Sequence, residues 1–299
     1  MVKKKVDPVY QKKIEQIKVD GEEYADEEMK PVYADQKKSL DALHTIVGAM
    51  FIKYAIDGLL KMNASQKASI GIKDILQMMG KKLADSEVEK VTFILKAVYK
   101  DTYYKNAYTM ESGMKVNLKF NILKKEFVNA AVDMEYKGEL FSDRIWKNKA
   151  GMIDKLQVGL IDAMKGNVTI DKIGRQIRDQ FNVTAYESSR LVRTETSRIQ
   201  TQASYDIGIN TGVEQVMWEA TLDGKTCAED AELDGKIWGI NEDHPECPTH
   251  PNCRCNLVNV PYAGWSPSAR KDNETGKIIA YTNYEDWAKD KGIGGGNNE

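Results

Sequence analysis

The sequence predicts an α+β protein, in which a mostly helical N-terminal body is followed by a small antiparallel β module rich in cysteine and histidine. Two observations carry this prediction. Apolar residues recur at intervals of three and four through most of the first two hundred positions, which is typical of helices with one buried face. After Gly212 the pattern changes to short alternating segments separated by glycine turns, which is typical of strands.

The first half of the helical body contains two apolar stripes. The first begins after Pro31, and Gly58 falls on it, so we expect that helix to weaken or end there. Ser86 and Glu89 have the spacing of a capping box at the start of the second stripe. The sequence therefore predicts one helix after Pro31 and another that begins near Ser86.

The second half of the body predicts several shorter helices. Two are expected over about 118–134 and 151–164, and a third ends near Phe181. Thr184 and Glu187 again have capping-box spacing, so a separate last helix is expected to begin there.

Three short strands are expected after the helices. The segment "VEQVMWEA" alternates and then reaches the turn in "LDGKTC", while "GKIWGI" and "CNLVNVPY" supply two more strands. The chain beyond Pro261 is polar, with a hairpin or loop, a short helix around "YEDWAKDK" and a disorder-prone glycine-rich end. The predicted divisions are a helical region over 1–140, a domain over 141–262 that is helical to about 212 with its β module over 213–262, and a polar tail over 263–299.

Charge and hydropathy exclude several classes of partner. Residues 1–200 carry 35 basic against 28 acidic residues, whereas residues 201–250 carry 2 against 11. The dilute positive excess does not indicate a dedicated nucleic-acid binder, and the acidic block disfavours phosphate contact.

The most apolar stretch, 46–60, is interrupted by Lys53 and Asp57 and is shorter than the ~20 residues of a membrane span. The start of the chain lacks the apolar run of an export signal, so we expect a reducing compartment and no membrane partner.

The segment "HPECPTHPNCRC", residues 244–255, holds three of the four cysteines and two of the three histidines. Cys253 and Cys255 lie two apart at the start of a strand, so they point to the same side and can both face Cys227. Asp230 follows Cys227 by three residues, where a zinc knuckle would place its second cysteine. Because structural zinc takes four sulfur, nitrogen or oxygen ligands, the sequence predicts a structural zinc site. Its four ligands come from Cys227, Asp230, Cys247, His250, Cys253 and Cys255.

Two other interpretations of the cysteines stay open. They can be plain reduced residues, or Cys247 can form a disulfide with a neighbour under oxidising conditions. Alternatively, Cys227 with His250 or His244 can form a catalytic dyad, which would make the protein a Cys/His or metal-dependent hydrolase. No cysteine lies at a helix start beside a glycine-lined oxyanion site. We therefore expect no catalytic residue and no enzymatic activity.

Four motifs occur in order between residues 145 and 262. They are Arg193-Thr194-Glu195-Thr196 on a helix, Trp218 with the turn "DGKTC", then "LDGKIW", and finally "HPNCRCNLV". In this order the sequence resembles the phage Mu F-like head morphogenesis family of minor head proteins. Many relatives have TCxxC at the turn, where this chain has Asp230 in place of the second cysteine.

The resemblance implies a phage or prophage virion component that is also present in the host cytoplasm during assembly. The implied partners are the portal protein, other capsid or scaffold proteins and, non-specifically, packaged DNA, with an effect on DNA packaging or delivery. No activity comes with this domain, although some relatives carry a toxin domain fused behind it. By elimination, the region 1–140 is expected to face the portal or scaffold.

The residues of the Arg-Thr-Glu-Thr motif allow three interpretations, of which a catalytic pairing of Arg193 with Glu195 is the least favoured. Arg193 and Glu195 can belong to a solvated polar stripe that contributes a few tenths of a kcal/mol for each side-chain pair. Alternatively, they can attach their helix to the acidic β module.

Overall fold

The computed structural model describes residues 9–114, 119–262, 264–265 and 267–292, and most of them are helical. The helices are α1 (Val9–Glu28), α2 (Lys30–Tyr54), α3 (Ala64–Ile70), α4 (Ile72–Met114), α5 (Lys125–Val132), α6 (Phe141–Met164), α7 (Ile170–Thr211), α8 (Ala228–Leu233) and α9 (Tyr284–Asp290). The strands are β1 (Ala55–Ile56), β2 (Leu59–Leu60), β3 (Gln215–Glu219), β4 (Ile237–Gly239), β5 (Asn256–Val260), β6 (Ala269–Asp272) and β7 (Lys277–Ala280).

The predicted fold class is confirmed. Helix α7 ends at Thr211, and all three predicted strands of the β module follow it, in the order β4-β3-β5 with antiparallel pairing. The predicted hairpin and helix of the tail are β6–β7 and α9. Within the described ranges, no helix has both the length and the apolar character needed to cross a membrane.

The chain forms two compact units, and each is built from separate stretches of sequence. Unit 1 contains residues 1–25, 94–133 and 193–299, and unit 2 contains residues 26–93 and 134–192. Three helices, α1, α4 and α7, contribute residues to both units. The predicted domain boundaries at residues 140 and 262 stay a prediction.

Unit 2 has an apolar core that encloses a buried ion pair. Its buried apolar residues come mainly from α2, α4, α6 and α7. Lys149 Nζ lies 2.5 Å from Glu87 Oε2, and both side chains are only 2% exposed. Ser188 Oγ accepts a hydrogen bond from Lys149 Nζ at 3.1 Å and donates one to Glu87 Oε2 at 3.0 Å. Gln36 Nε2 donates to the same hydroxyl at 3.1 Å, so four helices share one polar network.

Unit 1 has its core beneath the three-stranded sheet. Trp218 on β3 is fully buried, and the cysteines 247, 253 and 255 are part of the same apolar cluster. Helix α1 adds Ile14 and Ile17 to this cluster, although more than two hundred residues separate it from the cysteines. The C-terminal helix α9 inserts Trp287 against Leu222 in a smaller cluster. The β module is therefore packed with residues from both ends of the chain.

The structure differs from the predicted helix boundaries at several places. Helix α6 begins at Phe141 and not near residue 151, and α7 continues past Phe181. The Ser86–Glu89 pair lies inside α4, and Thr184 lies inside α7, so neither forms the predicted cap. Thr184 and Ser188 are buried within α7, where Ser188 Oγ also lies 3.0 Å from the carbonyl oxygen of Thr184, so the helix continues through them. The helix after Pro31 ends at Tyr54, before the predicted Gly58. Gly58, with a φ of 75°, instead forms the turn between β1 and β2. The predicted glycine-rich end, from residue 293, lies outside the described residues.

Candidate metal centre

The sheet and one short helix position the residues of the predicted metal site in unit 1. Cys227 caps the N-terminus of α8, where its Sγ accepts a hydrogen bond from the backbone N–H of Asp230 at 3.3 Å. Cys253 and Cys255 come directly before β5, which pairs with β3 along its whole length. His250 lies in the turn that precedes them. The loop before β5 and the first turn of α8 therefore meet at one place.

Two groups of three possible ligands share Asp230. The first contains Cys227, Asp230 and His250, and the second contains Asp230, Cys253 and Cys255. His250 Nε2 lies 3.5 Å from Cys227 Sγ and 3.2 Å from Asp230 Oδ2. The same Asp230 oxygen lies 3.2 Å from Cys253 Sγ. Ligands at tetrahedral zinc, with bonds of about 2.0–2.3 Å, lie about 3.3–3.8 Å apart, so the contacts within each group are close to the spacing of metal ligands.

The remaining residues of the loop lie outside these two groups. Cys247 is buried beside them, and its Sγ lies 3.3 Å from the carbonyl oxygen of Cys255. The ring of His244 lies 6.1 Å from that of Trp238. The structure thus brings five of the six predicted ligands into the two groups and places Cys247 next to them. Metal binding itself stays a prediction.

The electrostatics of the centre favour a cation. Asp230 is 2% exposed, and burial raises the pKa of its carboxyl group, as does the adjacent Cys253. Hydrogen bonds from the Cys247 and Cys255 thiols lower the pKa of the Cys253 thiol. A buried carboxylate and a buried thiolate in contact repel each other, so both can be ionised together only if a cation lies beside them. A divalent metal meets this requirement, and the donor set of sulfur, nitrogen and carboxylate oxygen is one that zinc accepts.

The Cys227–His250 pair is less suited to nucleophilic catalysis. Burial raises the pKa of the Cys227 thiol, the backbone N–H of Asp230 lowers it, and the charge of the Asp230 carboxylate raises it again. A reactive cysteine instead needs a lowered pKa, because the thiolate is the nucleophile. The raised pKa therefore argues against a catalytic dyad.

Two residues outside the predicted set hold the loop in place. Thr194 Oγ1 accepts a hydrogen bond from the backbone N–H of Asn252 at 3.1 Å, and Asn252 has a φ of 65°. Lys18 Nζ on α1 donates to the carbonyl oxygens of Arg254 and Cys255. Thr194 belongs to the Arg-Thr-Glu-Thr motif, so its position was marked in the sequence. No pattern in the sequence pointed to Lys18.

Glu195 and Arg193, the two motif residues that were singled out, lie elsewhere. Glu195 is buried and lies 2.7 Å from Arg198 Nε on the same helix. Arg198 Nη1 donates to the carbonyl of Ala131 at 3.1 Å, so this pair connects α7 to α5. Arg193 is exposed on α7. The motif reaches the β module through Thr194, and the attachment predicted for Arg193 stays a prediction.

Replacing Thr194 by valine is expected to destabilise unit 1 by about 1 kcal/mol, because the Asn252 N–H loses its acceptor. Thermal unfolding followed by circular dichroism measures the change. Thr194→Ser, which keeps the hydroxyl, is the matched control and should unfold near the temperature of the unsubstituted protein. An unchanged Thr194→Val variant together with a destabilised Thr194→Ser variant would mean that the methyl group, and not the hydrogen bond, holds the loop.

Comparison with known proteins gives three relevant similarities. Residues 154–258 match the family described as Phage Mu protein F like protein. The minor head protein GP7 of Bacillus phage SPP1 is 24% identical, over 89% of this chain and 92% of that protein. An NAD(+)–arginine ADP-ribosyltransferase, EFV, of Enterococcus faecalis is 25% identical over 63% of this chain. No solved structure matches the chain significantly.

The relatives differ in how much of their own length this chain spans. The chain spans 42% of the length of the ADP-ribosyltransferase, and 25% of that of an uncharacterized Haemophilus influenzae protein that is 31% identical. It spans nearly the whole of the SPP1 protein. The predicted resemblance is thereby confirmed: residues 154–258 match the Phage Mu protein F like family, and most of the chain is similar to a phage minor head protein.

Proposed function

We propose that this chain is a minor head protein that acts in phage head morphogenesis and enters the virion during assembly. The observation that carries the proposal is the similarity to the SPP1 minor head protein, which covers most of both chains. A match of that extent includes the helical regions as well as the cysteine-rich module. In this proposal the chain is present in the host cytoplasm during assembly, encoded by a phage or a prophage.

The proposed partners are the portal protein and other capsid or scaffold proteins. We propose that helices from the first 140 residues provide the surface for these partners, because side chains of the β module already contact the loops of that module. Any contact with packaged DNA is non-specific, because residues 201–250 carry 2 basic against 11 acidic residues. An effect on DNA packaging or delivery would then follow from a position near the portal.

We also propose that the chain has no enzymatic activity of its own. The relative named as an ADP-ribosyltransferase is covered over less than half its length. The Cys227–His250 pair has a thiol whose pKa is raised, which disfavours a cysteine hydrolase. Modification of arginine substrates by the full chain in the presence of NAD(+) would contradict this proposal.

A structural zinc ion is the cofactor that we propose for the centre. The proposed ligands come from the two groups that share Asp230, which are Cys227, Asp230 and His250 on one side and Asp230, Cys253 and Cys255 on the other. Cys247 then lies beside these ligands in the apolar cluster of unit 1. When bound, the ion would join α8 to the loop before β5 and so stabilise a small module.

Purification of capsid precursors tests the head assignment. We expect this chain and the portal protein to sediment together, and we expect truncation after Lys291 to leave incorporation unchanged. Lys291 itself is retained because its Nζ lies 2.9 Å from Asp272 Oδ2. Truncation after Thr282 is the matched control, since it also removes the buried Trp287 and should abolish incorporation through misfolding. Loss of incorporation with the shorter deletion would identify the C-terminal end as the docking segment. Absence of the full chain from precursors and heads would overturn the proposal.

A further inference from the structure

Helix α1 is held against the rest of unit 1 by contacts along one of its faces. Ile14 and Ile17 are buried in the core of the β module. Gln200 Nε2 on α7 donates to the carbonyl oxygens of Ile17 at 3.2 Å and Lys18 at 3.1 Å. A Cβ atom at Gly21 would lie 2.3 Å from Gln200 Nε2, so the helix backbone approaches α7 closely there. These contacts fix the point from which the Lys18 side chain starts.

The Lys18 side chain ends on the loop that carries the predicted metal ligands. Its Nζ donates to the carbonyl oxygens of Arg254 and Cys255. Arg254 lies between two of the possible ligand cysteines, and its carbonyl also accepts a hydrogen bond from Thr221 Oγ1 at 2.8 Å. Arg254 Nη2 donates to Asp223 Oδ1 at 2.9 Å. The residue between the cysteines is therefore held at its backbone and its side chain, and α1 provides one of these contacts.

The centre would stay negatively charged even with a zinc ion bound. The two groups that share Asp230 contain five residues, and only His250 among them binds a metal as a neutral group. Any four of the five include at least three anions, which exceed the two positive charges of zinc. Lys18 places an ammonium group at the loop backbone beside Cys255. This group orients the chain between the ligands and offsets their excess charge.

We propose that Lys18 is a positioning residue for the metal centre and that, given the zinc ion proposed above, it couples the docking of helix α1 to metal binding. Groups that orient the ligands of a metal typically change its affinity by about 10–100-fold. Linkage makes the coupling reciprocal, so zinc stabilises the docked helix by the factor by which the docked helix strengthens zinc binding. The first helix of the chain thus completes a site whose ligands begin at Cys227.

Zinc titration of the full chain in competition with a chromophoric chelator, under reducing conditions, tests the role of Lys18. Lys18→Met keeps an apolar stem but removes the ammonium donors, so its zinc affinity should be about 10–100-fold lower. Lys12→Met, at an exposed position on the same helix, is the matched control and should bind zinc like the unsubstituted chain. Gln200→Leu removes two hydrogen bonds that hold α1 to α7, and it should lower the affinity as well.

A second measurement starts from the unsubstituted chain and approaches the coupling from the side of the helix. Hydrogen exchange of the α1 backbone amides is compared with and without added zinc. The opening equilibrium of α1 should fall about 10–100-fold when zinc is bound. In Lys18→Met this response should largely disappear, which a merely structural role of Lys18 would not produce.

The outcomes separate the coupling from the metal centre itself. Equal zinc affinities of the Lys18→Met and unsubstituted chains, or an α1 exchange that does not respond to zinc, would overturn the coupling while the zinc site stands. Absence of zinc uptake by the unsubstituted chain would overturn the zinc site and the coupling with it.

Discussion

The Cys253→Ser variant is expected to lose the metal from the cysteine-rich centre and to unfold its C-terminal module at a temperature lower by about 10 °C or more. Serine oxygen is a poor zinc ligand at neutral pH, and the unfolded chain has no preformed site, so metal affinity and folding are lost together. The measurements are the zinc content of protein purified under reducing conditions and its thermal unfolding. The unsubstituted chain should contain about one zinc ion.

Two further variants make the result specific. Cys247→Ser alters a buried neighbour that lies outside both ligand groups, so this variant should retain its zinc even if packing suffers. Asp230→Cys rebuilds the TCxxC turn of the relatives and should retain the metal as well, because thiolate is a stronger zinc ligand than carboxylate. If Cys253→Ser and Cys247→Ser lose equal amounts of zinc, the ligand assignment is wrong. If the unsubstituted protein has no zinc and four freely titratable thiols, the centre is not a metal site.

Replacing Lys149 by methionine is expected to destabilise unit 2 by about 3–5 kcal/mol, which is the second large effect. The substitution leaves Glu87 buried at 2% exposure without the cation that lies 2.5 Å away. Chemical denaturation with urea measures the change in the free energy of unfolding.

A matched control comes from a comparable but more accessible ion pair. Lys90 Nζ lies 2.9 Å from Glu28 Oε2, with side chains 28% and 31% exposed. Lys90→Met is expected to cost about 1 kcal/mol or less, since water replaces part of the lost interaction. The double variant Lys149→Met, Glu87→Leu should recover much of the stability, because no charge then remains buried. A cost for Lys149→Met as small as that for Lys90→Met would show that Glu87 finds another partner or a proton.

The sequence predicted the fold class and the strands correctly, but it placed the helix boundaries less well. Alternation and glycine turns are local signals, and they identified β3, β4 and β5. The capping-box pairs at Ser86 and Thr184 are also local signals, yet both lie inside long helices. Thr184 is buried against unit 2, and tertiary packing overrides the weak local preference for a cap.

The sequence predicted which residues belong to the candidate site, but it did not predict all the residues that support the loop. Metal-ligand chemistry depends on residue type, so clustering of cysteine, histidine and aspartate identified the loop. Lys18 supports that loop through hydrogen bonds to backbone groups, which leave no trace in spacing or composition. Thr194 also supports it, and its position was marked by the Arg-Thr-Glu-Thr motif.

The contact between Lys18 and Arg254 has a consequence for synthesis on the ribosome. These residues are 236 positions apart, so at about 5–20 residues per second α1 emerges roughly 10–50 s before the strand segment that covers it. During that interval the apolar face with Ile14 and Ile17 has no sheet to pack against. Unit 1 can close only after residue 254 has left the ribosome, which makes its folding non-local and therefore slow. A ribosome-bound chain stalled before residue 254 should consequently expose α1 to chaperones or to an assembly partner, while the finished protein would not.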